Sequence, residues 1–300
     1  MKSEILKVDH ISKSFGKNKI VDSISFSANE GDIFGFIGPN GAGKTTTIKM
    51  LLGLLTPDKG KVYISGKDIR TNFKDIIAQV GALVEGPSFY SYMTAKENLE
   101  IFGQYSGGVT KERIKEVLDL VGLFEKENIR VREFSLGMKQ RLGIAQALIN
   151  NPRLLILDEP INGLDPKWIK EIRNIIFELS KQGTTILISS HILAELEHLC
   201  NKILIINKGK EVASGITQEL IGKSNMYKIE ATNYDRLDEV LEKISAVEIL
   251  ENAFERKIRF NSTIKPEELL IKLINEGIKV TSYAPVKLTL EDYFFNIVEE

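Results

Sequence analysis

Eight residues, Gly38–Thr45 ("GPNGAGKT"), fit the pattern G-x-x-x-x-G-K-[ST] in full. They stand between an apolar run, "DIFGFI", and an amphipathic stretch, "KTTTIKMLLGLL". A strand that ends in such a loop and restarts as a helix leaves few folds open. The glycines let backbone N–H groups wrap a chain of phosphates, and the helix N-terminus adds a favourable dipole. Gly38, Pro39, Asn40, Gly41, Ala42, Gly43, Lys44, Thr45 and Thr46 are therefore expected to cradle a nucleotide. In this pattern Lys44 reaches the β- and γ-phosphates, and the Thr45 hydroxyl meets Mg²⁺.

A second segment, "LLILDEP", completes the chemistry. Four apolar residues bury a strand and deliver Asp158 to its C-terminal edge, where open α/β sheets bind their ligands. Asp158 is expected to hold Mg²⁺, directly or through water, and Glu159 to polarise the water that attacks the γ-phosphate. His191 closes "TTILISSH" at a further strand end on the same edge, within reach of the γ-phosphate. His10 and His198 lack such a setting and read as structural. "EFSLGMKQR" reads as a helix start, with Ser135 as N-cap and Gly137 leaving the first turn open. As local structure it is a cap, and it offers a second potential phosphate-binding helix end in a chain with one glycine-rich loop.

The remaining pattern sets the fold class. Residues 1 to about 30 alternate as strands, and "GKVYISGKDI" adds two short ones. From about 86 to 150 the texture is helical, in "TAKENLEIFGQYS", "TKERIKEVLDLVGL" and "SLGMKQRLGIAQALIN". Strands then alternate with helices through "KILIINKG", which predicts an α/β fold with a mainly parallel sheet, an antiparallel β part and a helical subdomain over 1–220. Residues 221–300 read as "MYKIEATN", "YDRLDEVLEKI", "AVEILEN", "ERKIRFN", "KPEELLIKLINEG" and "IKVTSYA". That is βαββαβ, the order of a small ferredoxin-like α+β domain.

A net charge of −1 argues against a nucleic-acid partner. One cysteine, Cys200, offers neither a disulfide nor a thiol metal site and reads as core. The apolar runs are too short to span a bilayer, and charges interrupt any leader at the N-terminus. A cytoplasmic protein is expected, with any membrane role exercised through a partner.

Taken in order, these motifs resemble those of the ATP-binding subunits of ABC transporters. "GPNGAGKTT" is similar to the Walker A motif, "LLILDEP" to Walker B and "INGLDP" to the D-loop. His191 matches the switch histidine, and Phe15 in "SKSFGKNK" matches the aromatic that stacks on adenine. The resemblance implies ATP and Mg²⁺ as cofactors and a head-to-tail dimer, a homodimer here. Ser135 and Gly137 of one copy would then meet the γ-phosphate held by the other, on the inner face of the membrane beneath an integral permease. Two motifs depart from the family. The signature L-S-G-G-Q is present with Leu136 and Met138 in place of a glycine and the glutamine. Glu85, in "VGALVEGPSFYSYMT", replaces the usual glutamine near Mg²⁺, where it would be a third carboxylate beside Asp158 and Glu159.

An acidic residue there and the βαββαβ tail ending "LEDYFFNIV" resemble the bacitracin-resistance and lantibiotic-immunity exporters. Phe89, Tyr90 and Tyr92 then become candidates for packing on the permease. The alternatives are an exporter ATPase for another substrate, or a non-transport ABC ATPase acting on ribosome or DNA. No sustained heptad lies between Lys44 and Ser135 to support the DNA-acting form. A guanine-reading N-K-x-D is approached by "NKGK", but Lys210 stands where the Asp is needed.

Overall fold

Strands buried on both faces organise the first unit of the computed structural model, which describes residues 2–105, 107–221, 226–250, 256–260, 264–286 and 289–298. β1 (Glu4–Phe15) and β2 (Asn18–Asn29) form a long antiparallel hairpin. β3 (Ile33–Ile37) runs into the glycine-rich loop and α1 (Lys44–Leu51). β4 (Lys59–Ile64), β5 (Lys67–Asp68) and the short α2 (Phe73–Ile77) lead to β6 (Val80–Leu83). Then come α3 (Ala95–Tyr105), α4 (Lys111–Leu120) and α5 (Leu136–Leu148), followed by β7 (Leu154–Asp158), α6 (Pro166–Lys181), β8 (Thr185–Ser190) and α7 (Leu193–Leu199). β9 (Lys202–Asn207), β10 (Lys210–Ile216) and α8 (Thr217–Ile221) close the series.

Two sheets result. β2-β1-β4-β5 is antiparallel, and the six-stranded β10-β9-β3-β8-β7-β6 is parallel except for β10. Every residue of β3, β7 and β8 is buried, as a parallel sheet covered on both faces requires. The parallel register aligns the C-terminal ends of β3, β7 and β8, with Ile37 beside Ser190 and Asp158 beside Ser189. The loop after β3, the carboxylates after β7 and His191 after β8 therefore share one edge. Cys200 is buried, with its sulfur where a side chain on Gly35 would stand.

At the opposite edge of β3, buried Asp32 accepts from the Asn29 N–H (2.8 Å), Asn201 Nδ2 (3.1 Å) and Lys202 Nζ (2.9 Å). Burial pushes its carboxyl up, but Lys202 and these donors outweigh burial and hold it below the usual carboxylate range. A depressed folded value contributes stability that is present at neutral pH and lost as pH falls through that value. Asp32→Asn should lower the urea midpoint at pH 7 and flatten its decline below pH ~4. Parallel acid limbs in wild type and variant would contradict that linkage.

The chain divides into two compact units, Met1–Thr217 with the residues from Phe294 onward, and Gln218–Tyr293. The second contains β11 (Met226–Ala231), α9 (Tyr234–Leu241), β12 (Val247–Leu250), β13 (Arg256–Phe260), α10 (Pro266–Asn275) and β14 (Val280–Pro285), and α11 (Leu290–Val298) begins in it. Its antiparallel sheet runs β12-β13-β11-β14. Ile229, Leu237, Leu241, Ile258, Leu269 and Leu273 form its core. Ser106, Glu251, Asn252, Glu255 and Asn261, at the ends of expected helices and strands, lie outside the described residues. No helix among the described residues is long and apolar enough to cross a membrane.

Candidate active site

α1 begins at Gly43, in the left-handed conformation with φ +102° and without a side-chain cap. A Cβ at this position would also stand 2.8 Å from the Ile20 carbonyl oxygen, so only glycine fits. The uncapped first-turn N–H groups are left free for an anion. Lys44 is buried and curls back into the loop, where Nζ donates to the carbonyls of Gly38 (2.7 Å) and Pro39 (3.3 Å). A cation held only by neutral carbonyls is well suited to take phosphate oxygens in their place.

A cavity of about 470 Å³ opens over the loop, lined by Asn40, Gly41, Gly43, Lys44, Thr45 and Thr46 with Phe15, Ile20, Asp158 and Glu159. Phe15 is half exposed there, with Lys13 Nζ 5.8 Å from its ring centroid. An exposed aromatic face at the mouth of a phosphate cradle suits a nucleotide base. Gly38, Pro39 and Ala42 form the loop without lining the cavity.

Asp158 is buried and fully engaged. Thr45 Oγ1 donates to its Oδ2 (3.0 Å) and Ser189 Oγ to its Oδ1 (2.5 Å). A hydroxyl and a carboxylate at this spacing are hard oxygen donors, the kind Mg²⁺ takes one or two at a time while keeping its waters. Glu159 adopts φ +51°, and its carboxylate meets His191 Nδ1 at 2.8 Å. A carboxylate paired with an imidazole beside the cradle is a competent proton acceptor. The structure thus brings together Phe15, the glycine-rich loop, Asp158, Glu159 and His191.

Ser135 caps α5 as expected, its Oγ accepting from the Met138 N–H (3.2 Å). Neither Ser135 nor Gly137 lines the cavity; Gly137 lies beside Gly163 and Leu164 of the segment after β7.

Glu85 departs from the three-carboxylate arrangement. It leaves β6 at φ +57°, and its Oε1 accepts from Lys49 Nζ of α1 at 2.7 Å. Among the described residues no group of three His, Cys, Asp or Glu is placed to hold a metal. The physical reason is local: an ammonium on the adjacent helix offers the carboxylate a partner, whereas Asp158 and Glu159 would repel it.

Three contacts escape sequence reasoning. Ser189 bridges Asp158 and Glu159, Gln140 reaches the Glu159 backbone, and Lys49 takes Glu85. Only Ser189 carried a signal, as a hydroxyl two residues before His191 at a buried strand end.

A family model described as ABC transporter matches residues 21–162. The bacitracin transport ATP-binding protein BcrA of Bacillus licheniformis is 42% identical over 299 residues, covering 99% of this chain and 98% of its own. The chain belongs to the ABC transporter ATP-binding proteins. The lantibiotic transport ATP-binding protein SrtF of Streptococcus pyogenes is 40% identical over 225 residues, 75% of this ABC subunit and 95% of SrtF. A solved ATP-binding subunit of an ABC transporter superposes with a TM-score of 0.67 at 30% identity, covering 72% of this chain and 91% of that one. The resemblance carried by the motifs is borne out. The cassette binds ATP and, as an ABC ATPase, hydrolyses it.

Proposed function

We propose that this ATPase powers a separate membrane permease that exports peptide antibiotics of the bacitracin or lantibiotic type. The observation that carries the substrate class is the match to BcrA at 42% identity along nearly all of both chains, C-terminal segment included. Glu85 at the exit of β6 agrees with the same subgroup.

In this reading Gly38–Thr46 and Lys44 bind the phosphates and Phe15 stacks on adenine. Thr45 and Asp158 hold Mg²⁺, which would offset charge on the β- and γ-oxygens. Glu159 accepts the proton of the attacking water, and His191 orients that carboxylate. Two copies pair head to tail, so that Ser135 and Gly137 of one meet the ATP of the other. ATP closes this homodimer and hydrolysis reopens it, a change the permease follows. The subunit sits on the inner membrane face through its permease and has no nucleic-acid role.

The boundaries belong to the same proposal: an ATPase domain over 1–220, with its helical arm at about 86–150, and an accessory domain over 221–300. A ferredoxin-like reading of the latter is supported by the element order βαββαβ and the antiparallel sheet β12-β13-β11-β14.

Glu85 takes the coupling role rather than the metal. The Lys49 pair links the phosphate-binding helix to the loop that presents Tyr90 and Tyr92, both exposed. Exposed ion pairs contribute about 0–1 kcal/mol, so Glu85→Gln and Glu85→Ala should shift Tm by no more than ~4 °C. Both variants should keep ATPase activity and lose bacitracin resistance in cells that also express the permease. Wild-type resistance in both would make Glu85 an ordinary loop acid.

A further inference from the structure

Glu159 is held at each of its polar groups, by different parts of the chain. Its N–H donates to the hydroxyl and the carbonyl of Ser189 (3.1 and 3.2 Å), and its carboxylate meets His191. Its carbonyl oxygen accepts from Gln140 Nε2 at 3.2 Å and from the Asn162 N–H at 3.3 Å. A non-glycine residue in the left-handed region keeps that conformation only when its surroundings over-determine it. Ser189 and His191 belong to the same sheet edge as Glu159. Gln140 does not: it is a buried side chain of α5, the helix that Ser135 caps.

Ser135 and Gln140 lie on one continuous helix, as its N-cap and its fifth residue. The next residue, Arg141, lays its guanidinium 3.5 Å from the Trp168 ring centroid and donates to the carbonyls of Val121 (2.8 Å) and Gly122 (3.0 Å). A displacement of the Ser135 end would be carried along this helix to Gln140, and through its amide to the backbone of Glu159.

The geometry points to Gln140 as a positioning residue that makes Glu159 answer to the state of the Ser135–Gly137 helix end. This inference rests on the head-to-tail reading above. There the helix end meets ATP bound in the partner copy, so each base is tuned by the nucleotide of the neighbouring site. A buried amide that only satisfied a carbonyl would affect stability and leave the kinetics alone.

The test is steady-state ATPase of the full chain as a function of ATP concentration, with Tm measured in parallel. Gln140→Met keeps the volume and removes the donor. It should lower kcat by ~10–100-fold, the scale of a misplaced catalytic group, with KM for ATP little changed. The Hill coefficient should fall toward one. If Met at this position prevents folding, Gln140→Glu keeps the size and replaces the donor by an acceptor, with the same expectation. Wild-type kcat overturns the proposal whatever happens to Tm, and so does a lowered kcat at an unchanged Hill coefficient above one. A wild-type protein that stays monomeric with ATP and shows a Hill coefficient of one refutes the head-to-tail reading instead. Gln140 is then judged by kcat alone, a drop supporting its positioning role and wild-type turnover refuting it.

Discussion

Glu159→Gln lowers ATP turnover by ~10²–10⁴-fold, the range for losing a positioned general base. The substitution is nearly isosteric and leaves the supports in place. The backbone of residue 159 still donates to Ser189 and accepts from Gln140. Thr45 and Ser189 still hold Asp158, and Lys44 still faces the cradle. What would be lost is the negative charge proposed to take the water's proton, while ATP affinity should be retained because the cradle is untouched. Phosphate release measured beside ATP binding separates the two. Turnover equal to wild type would remove Glu159 from the role of base.

Gly81→Ala has the largest expected effect on stability. β6 presses on the end of α5 so closely that a Cβ on Gly81 would lie 2.0 Å from the Ala147 carbonyl oxygen and 2.9 Å from its carbon. Pro152 Cγ would be 3.0 Å away. The obstacle is backbone at a helix end, which cannot swing aside as a long side chain would. Overpacking of this kind costs ~1–3 kcal/mol or more, a fall in Tm of roughly 2–12 °C at this chain length. Because α5 carries Gln140, ATPase activity should fall as well, even below the unfolding temperature. An unchanged urea midpoint would mean that β6 and α5 are not in this contact.

The motifs of the nucleotide site were legible because each is local. A glycine-rich loop, a buried strand ending in Asp158-Glu159 and a strand ending at His191 are short patterns with fixed chemistry. Parallel α/β topology then brings their ends to one edge. Of the arm's helices, α3 and α4 were legible from their amphipathic period, while α5, buried nearly all round, was legible from its Ser135 cap. β10 was not, because nearly all of its residues are exposed and it shows no alternation. α2 spans only five residues, too few for a period to register.

The contacts of Glu85, Ser189 and Gln140 were hidden for another reason. Glu85 finds Lys49 across 36 residues, and Gln140 finds Glu159 across 19. Such pairs leave no local pattern. An acid after a strand reads the same whether its partner is a metal or an ammonium, and only the packing of α1 beside the exit of β6 decides.

Sedimentation of Glu159→Gln with and without ATP and Mg²⁺ tests the ATP-driven pair most directly. A variant that binds ATP but turns it over slowly should accumulate the closed form: monomeric alone, dimeric with Mg·ATP, with two ATP per dimer and return to monomer on nucleotide removal. Ser135→Arg, which places bulk and charge at the signature helix end, should abolish that dimer while each subunit still binds ATP. A protein that saturates with ATP and remains monomeric would contradict the account.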